Sequence, residues 1–393
     1  MFPERILVSH NYYQQPGGED EVFAAEVELL RSHGHSVLEY TEHNRDVDGM
    51  SVLRVAARSV WSETSKNRVR DLLATAKTDI AHFHNVFPLI SPAAYWACSD
   101  AGVPVVQTLH NYRLLCPAAT FFRDGKICKD CLGKKVTWPG VLHGCYKGSR
   151  TASAAVTAML GTHRLLPTWT EKVSVYVALT ESARDTFIAG GLPAERIMVK
   201  PNFIDPDPGV IEGDDGYAIF VGRLSAEKGV QGLLRAWERL EGVPLKIVGD
   251  GPLVHEAREA ASSERMSDIE ILGWRPREEV LRLMQRARCL ISLQEWPDTF
   301  GLAEMEALAC GIPIITWGLG ETARIVERER AGLICTPGDT DDLTRQIRIA
   351  MENPQHMSTL GRNGRKTYKR LYTREASYKR LIEVYEAAAG RDS

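Results

Sequence analysis

Residues Trp296–Pro313 read WPDTFGLAEMEALACGIP and follow the short apolar run Cys289–Leu293, CLISL. A brief apolar run, a loop and an apolar-rich segment opening near Gly301 predict strand, turn and helix. Amide groups at such a helix start can receive phosphate oxygens. Glu304 and Glu306 fall in its first turns. A carboxylate there can accept paired hydrogen bonds from a ribose diol, or it can simply complement the helix dipole. For Glu304 the dipole reading is the favoured one.

Working outward, the same rhythm of short apolar run and longer helical pattern recurs. Ala218–Gly222, Leu245–Gly249, Ile269–Leu272, Pro313–Thr316 and Leu333–Cys335 read as strands, with helical stretches such as Gln231–Leu240 between them. Upstream, Arg5–His10, Ser36–Tyr40, Asp79–Asn85, Pro104–His110 and Val173–Leu179 read the same way, and Glu21–His33 is an amphipathic helix closed by Gly34. Between the two series lies Pro201–Gly216, PNFIDPDPGVIEGDDG, whose composition is that of a linker. The expected fold class is α/β, with two doubly wound Rossmann-like domains facing a cleft. The expected boundaries are 1–203 for an N-terminal domain, 204–370 for a C-terminal domain, and 371–393 for a helix returning to the first domain. In open sheets of this kind ligands bind beyond the carboxyl ends of the strands.

Two stretches at such ends stand out. In VGRLSAEKG, Val221–Gly229, a strand ends at Gly222, and Arg223 and Lys228 follow on the loop. Two cations there can hold a diphosphate, Arg as a planar fork and Lys as a mobile point charge. In HNYYQQPGGED, His10–Asp20, Gly17 and Gly18 allow bare backbone to approach a ligand. The spacing is not that of a dinucleotide fingerprint, which disfavours a nicotinamide dehydrogenase.

The chain has 393 residues, 44% apolar and 25% charged, with a formal net charge of -3. That length exceeds one ordinary core, and that charge gives no reason to expect a nucleic-acid binder. No run approaches the length of a membrane span, and MFPERILVSH lacks the layout of a signal peptide. The expected location is cytoplasmic, with peripheral contact at the inner face of the cell membrane.

Charge is concentrated locally. Loop 111–150 carries Arg123, Lys126, Lys129, Lys134, Lys135 and Lys147 against Asp124 and Asp130. It also carries Cys116, Cys128, Cys131 and Cys145, spaced C-x11-C-x2-C-x13-C. Four thiolates make a closed tetrahedral zinc site, and a reducing compartment disfavours a disulfide. Structural zinc leads, ahead of unligated thiols and then a disulfide. His143 is a substitute ligand. The loop is expected to shape an acceptor site and to face anionic groups.

PGGE after the first strand, R-x4-K after a later one, GDGP after the next, and the carboxylate–TFG–EALACGIP block together resemble the retaining glycosyltransferases of family 4, which have the GT-B fold. Asp79–Cys116 resembles the bacterial polysaccharide-assembly members. The resemblance implies transfer of a hexose from a nucleotide-diphosphate sugar, with UDP and GDP both open, to a glycan or lipid-linked glycan acceptor. It implies that Arg223 and Lys228 bind the diphosphate, that Glu306 holds the ribose, and that Phe300, Gly301 and Leu302 meet donor sugar and phosphate. It further implies that Gly18, with Gly17, faces the diphosphate, that Gly222 ends the strand before it, and that Gly273 and Trp274 lie where backbone meets the base. His110 sits near the donor sugar. Asp298 stands where the family usually has Glu, one methylene longer, which bears on donor identity. No catalytic metal is expected. The rival reading is a zinc-stabilised nucleic-acid or protein-binding module without transferase activity.

Overall fold

The computed structural model describes residues 3–14, 17–295 and 299–390. The chain divides into two compact units, one comprising Met1–Phe121, Cys128–Asn202 and Arg374–Ser393, the other Phe122–Ile127 and Phe203–Thr373.

The first unit is built on β1 (Arg5–Tyr12), β2 (Ser36–His43), β3 (Ile80–Phe83) and β4 (Val105–Leu109). After a two-stranded ribbon, β5 (Phe122–Arg123) and β6 (Lys126–Ile127), come β7 (Val175–Ala178) and β8 (Ile197–Val199). The six-stranded sheet has the order β2-β1-β3-β4-β7-β8, and its pairs are all parallel. Every residue of β3, β4 and β7 is buried. Strands covered on both faces carry no polar alternation, which is why they read as continuous apolar runs. The C-terminal helix Arg374–Ala389 belongs to this unit, and its Leu381, Val384, Tyr385 and Ala388 enter the core with Ile6, Val8 and Val106.

The second unit repeats the plan with β9 (Ala218–Val221), β10 (Leu245–Val248), β11 (Ile269–Gly273), β12 (Cys289–Ser292), β13 (Ile314–Trp317) and β14 (Gly332–Cys335). The order is β11-β10-β9-β12-β13-β14, again all parallel. Successive residues of β9 serve opposite faces: Ala218 and Phe220 pack with Trp237 and Ile247, Ile219 with Met305 and Leu308. Helices therefore cover both sides of the sheet. In both sheets the strand order reverses beside the first strand, between β1 and β3 and between β9 and β12. Crevices form at such reversals, beyond the carboxyl ends of the strands.

Strand and helix positions follow the sequence expectations closely, with end shifts of a few residues. The helix after β12 occupies Leu302–Cys310, and the first helix runs Gly18–Ser32. β8 and the β5–β6 ribbon were not anticipated, each being three residues or fewer. The helix Arg150–Leu165 buries Val156, Met159 and Leu160 and is a packed element of its unit. Among the described residues, no helix is long and apolar enough to cross a membrane.

Candidate functional site

In the second unit the expected residues gather at the carboxyl ends of β9, β11 and β12. β9 stops at Val221, Gly222 follows, and Arg223 is exposed. Lys228 closes the short turn Ala226–Lys228, and Gly229 caps it with φ 73°. A Cβ on Gly229 would sit 2.1 Å from the Leu293 carbonyl oxygen, so the loop bearing Lys228 can lie against the end of β12 only because that residue is glycine. Gly249, at φ 136°, is equally constrained: its Cβ would fall 1.9 Å from the Gly222 oxygen. The close approach holds the strand end before Arg223 against the GDGP turn. Gly273 ends β11, and Trp274 behind it is 71% exposed.

Gly301 is the N-cap of Leu302–Cys310. Glu304 departs from the dipole-only expectation. It is buried, it accepts from the Ser292 hydroxyl, and it accepts from Gln294 Nε2 at 2.6 Å. Its carboxylate folds back over Gly301, where a Cβ would meet Glu304 Oε2 at 2.1 Å. The third helical residue can reach its own cap in this way, and burial makes the contact part of the core rather than a surface adjustment. Glu306 is buried and accepts from Arg277 Nε at 2.8 Å, while Arg277 Nη1 donates to the Asp205 carbonyl at 2.8 Å. Arg277 is a site neighbour that no local pattern signalled, because it opens a different helix. Asp298, expected at the sugar, lies outside the described residues.

The first unit places its residues at the ends of β1, β3 and β4. Gly17 caps the first helix, and its N–H donates to Asp20 Oδ2 at 3.0 Å. Among the described residues, its chain neighbours aside, nothing lies within 4 Å of a Cβ built on Gly17. His110 follows β4 and is buried. Its Nε2 lies 2.9 Å from His84 Nδ1, with the rings stacked at 5.1 Å. Both imidazoles line a small cavity with Glu19, Asn111 and Arg113. Glu19 accepts from Tyr13 Oη and Asn111 Nδ2, each at 2.8 Å, and its burial raises its pKa.

Behind His110 lies a buried charged group that the sequence did not announce. Lys200 Nζ is 2.6 Å from Glu26 Oε2, and both side chains are 1% exposed. Glu26 Oε1 lies 3.2 Å from His82 Nδ1 and 3.2 Å from His84 Nε2. His82 also meets Tyr385 Oη at 2.9 Å and Thr108 Oγ1 at 2.8 Å. Burial alone would raise the Glu26 carboxyl; Lys200, His82 and His84 outweigh it and hold the group well below the ordinary carboxylate range. Burial depresses the imidazoles of His82, His110 and His10. His82 falls to about 3 despite Glu26, and His110 is held well below its ordinary value by burial and then by His84 and His10. His10 falls to about 4, although Asp20 Oδ1 stands 2.7 Å from its Nε2.

The expected four-thiolate zinc site is not formed. Among the described residues, Glu26, His82 and His84 are the group whose ligand atoms come within 4.8 Å of one another, and the cysteines do not meet that spacing. Cys131 is directed to the Thr137 carbonyl at 3.8 Å, and burial pushes its thiol up to about 11, with Cys116, Cys145 and Cys128 adding to the rise. The thiols of Cys116, Cys128 and Cys145 lie near that of Cys131, and none forms a disulfide. Sequence spacing sets how far apart thiols can be, not where their sulfurs point. The Glu26 group does not fit a metal either, because the Lys200 ammonium already neutralises its carboxylate.

Two doubly wound all-parallel units with polar groups at the strand ends define the GT-B class of fold. The family comparisons agree along most of the chain. The profile described as "Glycosyltransferase Family 4" matches residues 17–208, and that described as "Glycosyl transferases group 1" matches residues 203–367. The chain belongs to the group 1, family 4 glycosyltransferases. It is 29% identical over 175 residues to an uncharacterized glycosyltransferase of Methanocaldococcus jannaschii, covering 44% of this chain and 49% of that protein. It is 25% identical over 173 residues to O-antigen chain mannosyltransferase C of Escherichia coli, covering 44% and 46%. The chain thus spans about half the length of the curated relatives it matches. Among solved structures, Anabaena HepE in complex with UDP-glucose superposes with a TM-score of 0.66 at 19% identity, covering 97% of this chain and 99% of that one. Sucrose-phosphate synthase from Thermosynechococcus elongatus gives 0.68 at 15%, covering 98% of each. At such identities the likeness is one of fold.

Proposed function

We propose that the chain moves a hexose from a nucleotide-diphosphate sugar to an acceptor hydroxyl, with retention at the anomeric carbon. The observation that carries this reading is the placement of Arg223 and Lys228 just beyond β9, beside the strand reversal of the unit matched by the group 1 profile. In the reaction the bond from C1 to the diphosphate oxygen breaks and a bond from C1 to the acceptor oxygen forms. The acceptor proton passes to the departing diphosphate, on the face the leaving group vacates. Negative charge grows on that diphosphate. Fixed cations and the amides at Gly301 and Leu302 stabilise it without reorganising. Glu306 takes the ribose, Gly17 and Gly18 bring backbone to the diphosphate, and Gly273 and Trp274 meet the base. His110 and Asp298 position the sugar.

The acceptor we assign is a lipid-linked or polysaccharide-precursor glycan, the setting named for the O-antigen relative. Peripheral contact with the inner face of the cell membrane fits it. The short helix Trp138–Leu142 exposes Trp138 and Leu142 and follows Lys134 and Lys135 in the chain, an apolar and cationic pairing suited to anionic headgroups. The glycosyltransferase family matches weigh against the rival reading, a zinc-stabilised binding module without transferase activity.

The test is a thermal-shift and calorimetric screen of UDP- and GDP-sugars, because a ligand that binds the folded state raises its melting temperature. Saturable binding that weakens in Arg223→Ala and Lys228→Ala supports the reading. Absence of uptake of any such compound overturns it.

A further inference from the structure

The segment that opens the second unit is strapped down by side chains from two helices. From the helix Arg277–Arg286, Gln285 Nε2 donates to the Pro208 carbonyl at 2.6 Å and to the Gly209 carbonyl at 3.3 Å. From the helix Pro354–Leu371, Tyr368 Oη donates to the Ile204 carbonyl at 3.2 Å. Arg365, on the same helix, donates through Nη1 and Nη2 to the two Asp207 carboxylate oxygens, each at 2.6 Å. Arg277 ties the same strap, through Nη1 to the Asp205 carbonyl at 2.8 Å. Its Nε also donates at 2.8 Å to Oε1 of Glu306, the carboxylate assigned above to the ribose.

Arg277 is the first residue of its helix. That is the positive end of the helix dipole, where a cation is disfavoured. The bonds to Glu306 and Asp205 offset that cost, and the one to the carboxylate is charge-assisted. The guanidinium is planar and rigid, so two bonds in fixed directions set its plane, and its plane orients the Glu306 carboxylate. A carboxylate offers about four lone-pair sites, and Arg277 takes one of them. A glutamate left to rotate would give up side-chain entropy on meeting a ligand. One held beforehand has already lost it, which is the gain of preorganisation.

We propose that Arg277 is a positioning residue which, anchored on the Asp205 carbonyl, presents Glu306 to the ribose diol and so sets a preference for ribose over 2′-deoxyribose nucleotides. The inference rests on the ribose role proposed for Glu306. The other ties hold the strap when Arg277 is replaced, so the effect falls on the ligand rather than on the fold.

Calorimetry on the full chain, with UDP or GDP, whichever it takes up, and with the 2′-deoxy form of the same nucleotide, measures the preference. Base and diphosphate are common to both ligands, so a change in overall charge cancels in the ratio. The wild-type chain should prefer the ribose form by about 10- to 100-fold, the range for a hydrogen bond to a charged group, and Arg277→Ala should bring that to about 3-fold or less. Arg277→Lys keeps the charge and loses the planar fork, and should lower the preference in the same way. Gln285→Ala loosens the strap at Pro208 and Gly209 and should keep the wild-type preference. A wild-type preference in either folded Arg277 variant overturns the inference. An equal fall in Gln285→Ala also overturns it, because general loosening would then be the cause. Arg277→Lys decides should Arg277→Ala not fold. Uptake with a preference indifferent to Arg277 refutes this inference and leaves the transferase reading standing. Uptake with no preference in the wild-type chain removes the ribose role of Glu306 and the inference together. A chain that takes up neither UDP nor GDP refutes the transferase reading, and the inference with it.

Discussion

The two units share a sheet plan and differ in where they keep their basic side chains. The second unit has apolar layers on both faces of its sheet and carries Arg223 and Lys228 on loops at the strand ends. The first buries charge inside: Glu26, Lys200, His82, His84 and His110 are all enclosed. Of the chain's eleven histidines, only His255 and His356 fall in the second unit, and both are exposed. Exposed cations contribute little to stability and are suited to binding. Enclosed ones are held by geometry, and removal of one partner leaves an uncompensated charge. Substitution should therefore cost the second unit function and the first unit its fold.

The largest expected effect is on the first unit. Lys200→Met leaves Glu26 ionised, buried and unpaired, which costs about 3–5 kcal/mol of stability. Denaturant unfolding measures it. The double variant Glu26→Gln, Lys200→Met removes both charges and should recover part of the loss. Equal losses in the single and double variants would show that the charge pair is not what Lys200 serves.

Next is the converse in the second unit. Arg223→Ala and Lys228→Ala should each lower turnover by about 100- to 1,000-fold, the cost of one preorganised donor to developing charge. Neither side chain is buried, so melting temperatures should stay near wild type. A large fall in melting temperature with near-normal turnover would reverse the contrast between the units.

Lys228 and Lys200 also mark what the sequence could reveal. Arg223 and Lys228 stand within a few residues of an apolar run that could only be a strand, so local pattern placed them at a sheet edge. The helix Leu302–Cys310 was visible for the same reason, since a glycine-bounded apolar segment after a strand has few other conformations. The Glu26–Lys200 pair spans 174 residues, and the His82–Tyr385 contact spans 303. Those pairings are created by the sheet and by the return of the C-terminal helix, and no local spacing records them. The cysteines failed in the other direction. Their spacing was suggestive, but thiol direction is decided by how the loop folds. β8 is too short for its apolar residues to show a period.

Acid should act on the first unit before the second. Folded-state pKa values of about 4 for His10 and about 3 for His82 lie below the unfolded value of about 6.5. Between these limits the unfolded chain binds protons that the folded one refuses, so stability rises with pH. The contribution is complete above about 6.5 and is lost progressively as pH falls toward 4. Glu26 adds a later loss, because its depressed value stabilises the fold above the ordinary carboxylate range and stops doing so as pH falls through its folded value. Melting temperature from pH 7 to 5 should decline. Hydrogen exchange should show protection lost from β1, β3 and β4 before β9, β12 and β13. Uniform loss across both sheets would remove the distinction.

The smallest effect sharpens the comparison at one atom. Tyr385 is buried on the C-terminal helix, and its hydroxyl lies 2.9 Å from His82 Nδ1. Tyr385→Phe removes the oxygen and keeps the ring edge-on to His82, where the centroids are 5.6 Å apart. Glu26 Oε1 stands 3.2 Å from His82 Nδ1 but not in hydrogen-bond geometry, so the variant leaves that nitrogen without a hydrogen bond. A buried polar nitrogen left in this way costs about 1–3 kcal/mol. A loss of that size, with nucleotide-sugar binding unchanged, would mean that the helix only caps the buried group. A fall in that binding as well would mean that the C-terminal helix also steadies the histidines beside the cavity, and that its return to the first unit serves the site as well as the core.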